Sequence, residues 1–141
     1  MTLALLYPLL AQVLLTLLML IALGVVRDRA LRAKSVSMRD IALDNRNWPD
    51  DARKFDNNFS NQFELPVLFY VLILAALHTG ATNILTIVLA WLFVITRVLH
   101  AFIHCTSNRV RPRSIAYGVG AICLLGIWIV IVLKLASSHW P

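Results

Sequence analysis

Four stretches of the chain are almost free of polar residues. Residues 3–26 run 24 positions without a charge. That is about 36 Å of helix at about 1.5 Å per residue, enough to cross a hydrocarbon core of roughly 30 Å. Residues 65–77 are apolar but too short to span alone, so their helix must begin earlier. Residues 84–103 carry one arginine and one histidine in an otherwise apolar run, and 115–133 carry no charge. None of the four alternates with the period of a strand, so they read as helices and not as a barrel. The pattern predicts an all-α, integral membrane four-helix bundle forming one domain over 1–141. Its helices are expected at about 3–26, 49–78, 84–105 and 114–135, with a polar loop at about 27–48 that holds a short helical turn or two. The first run has no basic residue ahead of it and exceeds the roughly 7–15 residues of a signal-peptide core, so it reads as a retained helix.

The start of the second helix is marked by Trp48-Pro49-Asp50-Asp51. Proline suits the first helical position, which needs no amide donor, and the aspartates meet the positive end of the dipole. A helix over 49–78 projects well beyond the apolar core. Its lower half is amphipathic, with Ala52, Phe55, Phe59 and Phe63 repeating on one side. Arg53, Asn57, Asn61 and Glu64 form a polar stripe on another, ending at the only glutamate of the chain. Pro66 is expected to kink or open the helix beside it.

Composition agrees with this reading. Hydrophobic residues make up 60% and charged residues 14%, with a mean hydropathy of +0.77, against about half and about a quarter in soluble domains. A soluble globular domain, a disordered chain, a collagen and a disulfide scaffold are excluded. The net charge of +6 could suggest nucleic acid until the cations are located. Eight of the thirteen lie between Arg27 and Lys54, and Arg109, Arg111 and Arg113 precede the last helix. The positive-inside rule then makes loops 27–48 and 106–113 cytoplasmic and puts both termini outside. The basic excess faces anionic headgroups of the lipid bilayer, and no nucleic-acid partner is expected.

Ionisable residues at membrane depth are costly and therefore point to function. Arg97, His100 and His104 share one face of the third helix at i, i+3 and i+7. Glu64 enters the same layer from the second helix, and Arg113, Ser114 and Tyr117 enter from the start of the fourth. A buried Glu64–Arg97 ion pair that fixes register is the plain structural alternative. Arg109 and Arg111 read as topology residues. His100 and His104 resemble a metal pair, but too few further ligands exist, so no metal site is expected. Cys105 and Cys123 fall at different depths and read as unpaired thiols. Trp91, Trp128 and Trp140 fit membrane filling or an outer belt. Ala116, Gly118, Gly120 and Gly126 give the last helix a small-residue face. No nucleophilic serine motif, phosphate loop, dinucleotide fingerprint or internal repeat is present.

The motifs Asn61-x-x-Glu64, Arg97-Val-x-His100 and Arg113-Ser114-x-x-Tyr117, set on four apolar runs, resemble the MAPEG family, membrane-associated proteins of eicosanoid and glutathione metabolism. The likeness is nearest to its prostaglandin E synthase and glutathione transferase branches, as a bacterial-type member of an inner membrane. It implies a homotrimer with glutathione held between subunits on the cytoplasmic side. Asn61, Glu64, Arg97, His100 and Tyr117 would bind the cofactor, Arg113 would stabilise its thiolate, and Ser114 would assist. The family carries basic residues where this chain has Asn57 and Ser60, and an aromatic where it has His104. This predicts weaker hold on glutathione's two carboxylates, with Arg53 and Lys54 the nearest compensating cations.

The resulting expectation is a glutathione transferase or peroxidase acting on lipophilic electrophiles. One alternative is a non-catalytic member of the same fold that binds a lipid or partner in the intersubunit groove. A weaker one is a proton or ion pathway through Glu64, Arg97, His100 and His104.

Overall fold

Backbone amides inside a bilayer have no water to bond, and each apolar run of this chain satisfies them within a helix. The structure, a computed structural model, describes residues 2–42 and 44–138. A 3₁₀ turn at Thr2–Leu5 leads into α1 (Leu6–Arg32), followed by the short α2 (Met38–Ile41) and a 3₁₀ turn at Asn45–Asn47. Then come α3 (Asp50–Ser60), a 3₁₀ turn at Asn61–Phe63, α4 (Leu65–Thr79), α5 (Ile84–Cys105) and α6 (Val110–Ser138). Four of the resulting segments are long and apolar enough to cross a membrane: Leu3–Arg32, Asp50–Thr79, Ile84–Cys105 and Val110–Ser137. The chain is a multi-pass, all-helical membrane protein.

The apolar surface is turned outward. Leu10, Leu14, Leu17, Ile21 and Val25 form an exposed stripe along α1, and α4 exposes Val67, Leu68, Val71 and Leu74. In water such stripes would drive aggregation, whereas in a bilayer they meet acyl chains of equal polarity. The core lies where α4, α5 and α6 meet. Phe69 stacks on Phe93 with centroids 4.4 Å apart, beside buried Ile73, Ala90, Leu124 and Ile127.

Close approach of α5 and α6 depends on two of the four small residues. A Cβ on Gly120 would sit 3.0 Å from Thr96 Oγ1, and one on Gly126 would sit 2.9 Å from Leu89 Cδ1. Thr96 Oγ1 is itself held by a 2.7 Å bond to the Phe93 carbonyl, so it cannot withdraw freely. Gly118 meets nothing within 4 Å. Gly120→Ala is therefore expected to lower thermal stability in detergent by about 1–3 kcal/mol. Gly118→Ala should be neutral or gain up to about 1 kcal/mol from helix propensity. Equal losses in both variants would contradict this packing.

Several element boundaries differ from the sequence expectation. α1 continues to Arg32, so residues 27–32 of the expected loop are helical. Arg27 there donates to Asp56 at 2.7 Å and lies 5.0 Å over the Trp48 ring, tying α1 to α3. α6 starts at Val110 instead of 114, so Arg111 and Arg113 are on the helix and the connection shortens. Pro49 is the N-cap of α3 and not its first helical residue. In the remaining loop, the Asp44 side chain caps the turn at Asn45–Asn47 and bonds the Arg46 guanidinium, which holds its carboxyl below the usual aspartate value.

The largest difference is in the second span. Its helix is interrupted at Glu64, whose φ of −99° and ψ of −105° leave the helical region. Pro66 has no amide to return to the carbonyl of Gln62 and its ring crowds that carbonyl, so the ladder opens two residues before it. The face that α3 buries is also different. Ala52 is buried, but the other inward residues are Asn58 and the following Gln62, while Phe63 is 59% exposed. The amides face inward because they have partners there. Gln12 Nε2 donates to Gln62 Oε1 at 3.1 Å, and Asn58 Nδ2 lies 3.0 Å from the Cys105 sulfur. Trp140 lies outside the described residues, and Trp91 and Trp128 are exposed on the bundle surface.

Candidate functional site

The interruption of the second span is what builds the site. Opening the helix frees the backbone carbonyl of Asn61, which must find a donor inside the bundle. Arg97, fully buried on α5, supplies it: Nη2 donates to the Asn61 carbonyl at 3.1 Å. Its Nε and Nη1 have no partner among the described residues, and its guanidinium lies 5.8 Å from the centre of the Tyr117 ring. No ion pair joins Arg97 to Glu64 among the described residues, so a Glu64–Arg97 pair does not fix the helix register as the charges suggest. Glu64, carried outward by the break, is exposed and accepts from the Tyr117 hydroxyl at 3.2 Å.

On α5, one turn towards the charged end, His100 links three elements. Its Nδ1 lies 3.1 Å from the Arg113 carbonyl, and its Nε2 lies 3.5 Å from Asn61 Nδ2. The carbonyl can only accept, so His100 donates from Nδ1 and leaves the Nε2 lone pair for the Asn61 amide. One turn further, His104 Nε2 accepts from Arg113 Nη1 at 3.1 Å. The same Nη1 donates to Asn108 Oδ1 at 2.8 Å. Asn108 adopts φ of +48°, a left-handed turn that lets the chain reverse from α5 into α6 within a few residues.

Asn61, His100, Arg113, Ser114 and Tyr117 line one hollow of about 220 Å³. Five of the seven residues expected at the site thus share a single cavity. Glu64 joins them through Tyr117, and Arg97 stands behind them as a buried support. Arg113 Nε and Nη2 have no protein partner among the described residues, and Ser114 is exposed at the hollow. The site can therefore present a permanent cation, a hydroxyl, an amide and a carboxylate to a ligand. A hollow of this size is below the roughly 300–1,000 Å³ of a pocket that encloses a drug-sized molecule. One chain can hold the reacting end of such a ligand but not surround it.

Two further hollows flank the site. Asn57, Asn108, Asp50, Arg53 and Lys54 line a polar cleft of about 280 Å³ at the charged end. Arg53 and Lys54 are engaged there, with Asp50 at 3.3 Å and Asp51 at 3.0 Å. Such exposed pairs are worth only about 0–1 kcal/mol, so a ligand carboxylate can exchange into them. In the other direction, Leu65, Leu68, Leu72, Ala121, Leu124 and Trp128 line an apolar groove of about 350 Å³ between α4 and α6. Leu65 follows Glu64 directly and Ala121 is one turn beyond Tyr117, so the groove continues the polar hollow into the apolar span.

The sequence reading did not single out Gln12, Asn58, Gln62 or Asn108. Gln12 carried a signal: it is the only side-chain amide in residues 3–26, and it is fully buried. With Gln62 it pins α1 to the segment that bears Asn61 and Glu64. Gln12→Leu is expected to lower unfolding stability by about 1 kcal/mol, the scale of one interhelical bond in a membrane bundle. An unchanged midpoint in a denaturant titration would show that Gln62 finds another partner.

Comparison with individual curated proteins and with solved structures gives no match. A family model, by contrast, aligns with the chain over residues 5–133, nearly its whole length, and its description is the MAPEG family. The chain therefore belongs to the MAPEG family, whose members are membrane-associated proteins in eicosanoid and glutathione metabolism.

Proposed function

We propose that the protein is a membrane-bound, glutathione-dependent transferase or peroxidase acting on lipophilic electrophiles. The observation that carries this reading is the single hollow shared by Arg113, Ser114, His100, Asn61 and Tyr117 at the head of an apolar groove. Bound glutathione would supply the nucleophilic sulfur, a thiol whose ordinary pKa of about 8.5 leaves little thiolate at neutral pH. Arg113 holds a fixed positive charge beside that position and favours the anion. Ser114 offers a hydroxyl proton to the sulfur. Glu64 accepts an ammonium in place of the Tyr117 hydroxyl, and Asn61 and His100 orient the peptide. Arg97 keeps Asn61 and the Tyr117 ring in place from below. The α4–α6 groove brings an acceptor from the bilayer to the same point and excludes water from it. A carboxylate of the peptide reaches the cleft of Arg53 and Lys54, where Asn57 supplies no charge.

The proposal includes a homotrimer, because a 220 Å³ hollow needs a second wall to enclose a tripeptide, and a neighbouring copy provides one. It also includes an orientation with the charged connections in the cytoplasm and both termini outside. The test is a glutathione titration on the detergent-purified protein, followed by thiolate absorbance in the ultraviolet. Saturable binding in the millimolar range or tighter, with a rise in thiolate absorbance, is expected. Trimers that bind no thiol would instead assign the non-catalytic reading, a lipid- or partner-binding protein on this scaffold.

A further inference from the structure

A separate hollow of about 470 Å³ shares no residue with the site. It lies between the last turns of α1 and the first turns of α3, and the end of α5 closes it. Its apolar wall is Val26 and Ala30 of α1, Ala33 at the C-cap of α1, and Ala52 and Phe55 of α3, while Arg29, Ser35 and Asp51 make up its polar lining. Val26 is the last residue of the charge-free run 3–26. Arg29, also on the lining, stands about 4–5 Å further along the helix axis. The cleft therefore spans the level at which a bilayer passes from acyl chains to phosphates.

The charges around it are unequal. Arg27 is neutralised by Asp56 at 2.7 Å and Arg32 by Asp28 at 2.8 Å. Asp51, at the rim, is held by Lys54 at 3.0 Å. Ser35 has donated its hydroxyl to the Ala30 carbonyl. Arg29 alone among the charged lining residues forms no ion pair within the described chain. The cleft thus offers one guanidinium without an ion pair beside an apolar wall, and its one carboxylate, on Asp51, is paired with Lys54.

We propose that this cleft binds an anionic phospholipid, with its phosphate on Arg29 and the glycerol end of its chains against Val26, Ala30 and Phe55. The bilayer supplies such a ligand at this depth without any diffusing partner. A zwitterionic headgroup fits less well, because it brings no net negative charge to Arg29 and its ammonium would lie beside that guanidinium. Arginine suits the phosphate because its fork presents two parallel donors.

Native mass spectrometry of the delipidated full chain tests this, using phosphatidylglycerol and phosphatidylcholine with identical acyl chains. Wild-type protein should retain phosphatidylglycerol about fivefold more than phosphatidylcholine, the effect of one arginine at an anionic interface. Arg29→Gln should remove that preference, whereas Arg111→Gln, at another exposed arginine without an ion pair, should leave it. Ala30→Trp, which fills the cleft and spares the guanidinium, should lower retention of phosphatidylglycerol. Equal retention of the two lipids by wild type would overturn the proposal. So would a preference that survives in Arg29→Gln, or one lost equally in Arg111→Gln, since that would indicate diffuse attraction instead of a site.

Discussion

Replacing Arg113 with alanine should lower the rate of thiol conjugation by about 100-fold, the usual loss when one preorganised charge-stabilising donor is removed. The four helices should persist, because Arg113 is only half-buried and its bonds go to Asn108 and His104 near the end of the bundle. The pH profile distinguishes this from a packing defect. A guanidinium beside the sulfur stabilises the anion and so lowers the thiol pKa. Wild-type activity should therefore level off at a lower pH than that of Arg113→Ala, which should follow the free thiol near about 8.5. Arg113→Lys should fall between the two. It keeps the charge but lacks the fork that reaches Asn108 and His104 while still facing the hollow. The kinetics of the three proteins between pH 6 and 9, with oligomeric state followed by size exclusion, would settle the point. Coincident pH profiles would assign the thiolate to another group.

A second large effect is expected at Arg97, and it concerns stability. Arg97→Leu removes the donor to the Asn61 carbonyl and leaves that carbonyl unpaired inside the bundle. The cost should be about 1–3 kcal/mol, as for a lost bond to a charged group. The helix break caused by Pro66 is the reason the carbonyl is free, and this gives a sharper test. In a Pro66→Ala background the second span can close into a continuous helix, so that the Leu65 amide takes the Asn61 carbonyl. Arg97→Leu should then cost measurably less than it does alone, with a coupling of about 0.5 kcal/mol or more in a double-mutant cycle. Additive losses would mean that Arg97 does not act through the break. The same cycle bears on the site. Closing the helix should swing Glu64 away from Tyr117, so thiol binding should weaken in Pro66→Ala even where stability rises.

Much of this architecture was legible in the pattern of apolar residues. A helix in a bilayer needs about 20 apolar positions in a row, so runs such as 3–26 and 115–133 declare themselves without reference to the rest of the chain. The layer of Glu64, Arg97, His100, Arg113, Ser114 and Tyr117 was legible for a related reason. Charged and hydroxyl groups inside such runs are few, and periodicity places them on faces. Their pairing was less legible. Opposite charge suggested Glu64 with Arg97, yet Arg97 serves a backbone carbonyl and Glu64 receives a tyrosine hydroxyl. A backbone group freed by a proline leaves no charge pattern to read. The phenylalanine spacing on α3 misled for the opposite reason. In a membrane, Phe63 can face lipid at no cost, while Asn58 and Gln62 must turn inward to find partners.

The residue types alone established a four-span helical membrane protein, the ends at which its cations cluster, and the short list of polar groups that enter the apolar layer. These follow from local quantities, hydropathy summed over a window and periodicity along one helix. The tertiary structure decided which of those groups meet. It set Gln12 against Gln62, Arg97 beneath Asn61 and Tyr117 beside Glu64, contacts that bridge 36 to 53 positions of chain. Such contacts depend on how far a broken helix bends and on which face each neighbour turns toward it, and these are properties of the packed bundle and not of any one segment.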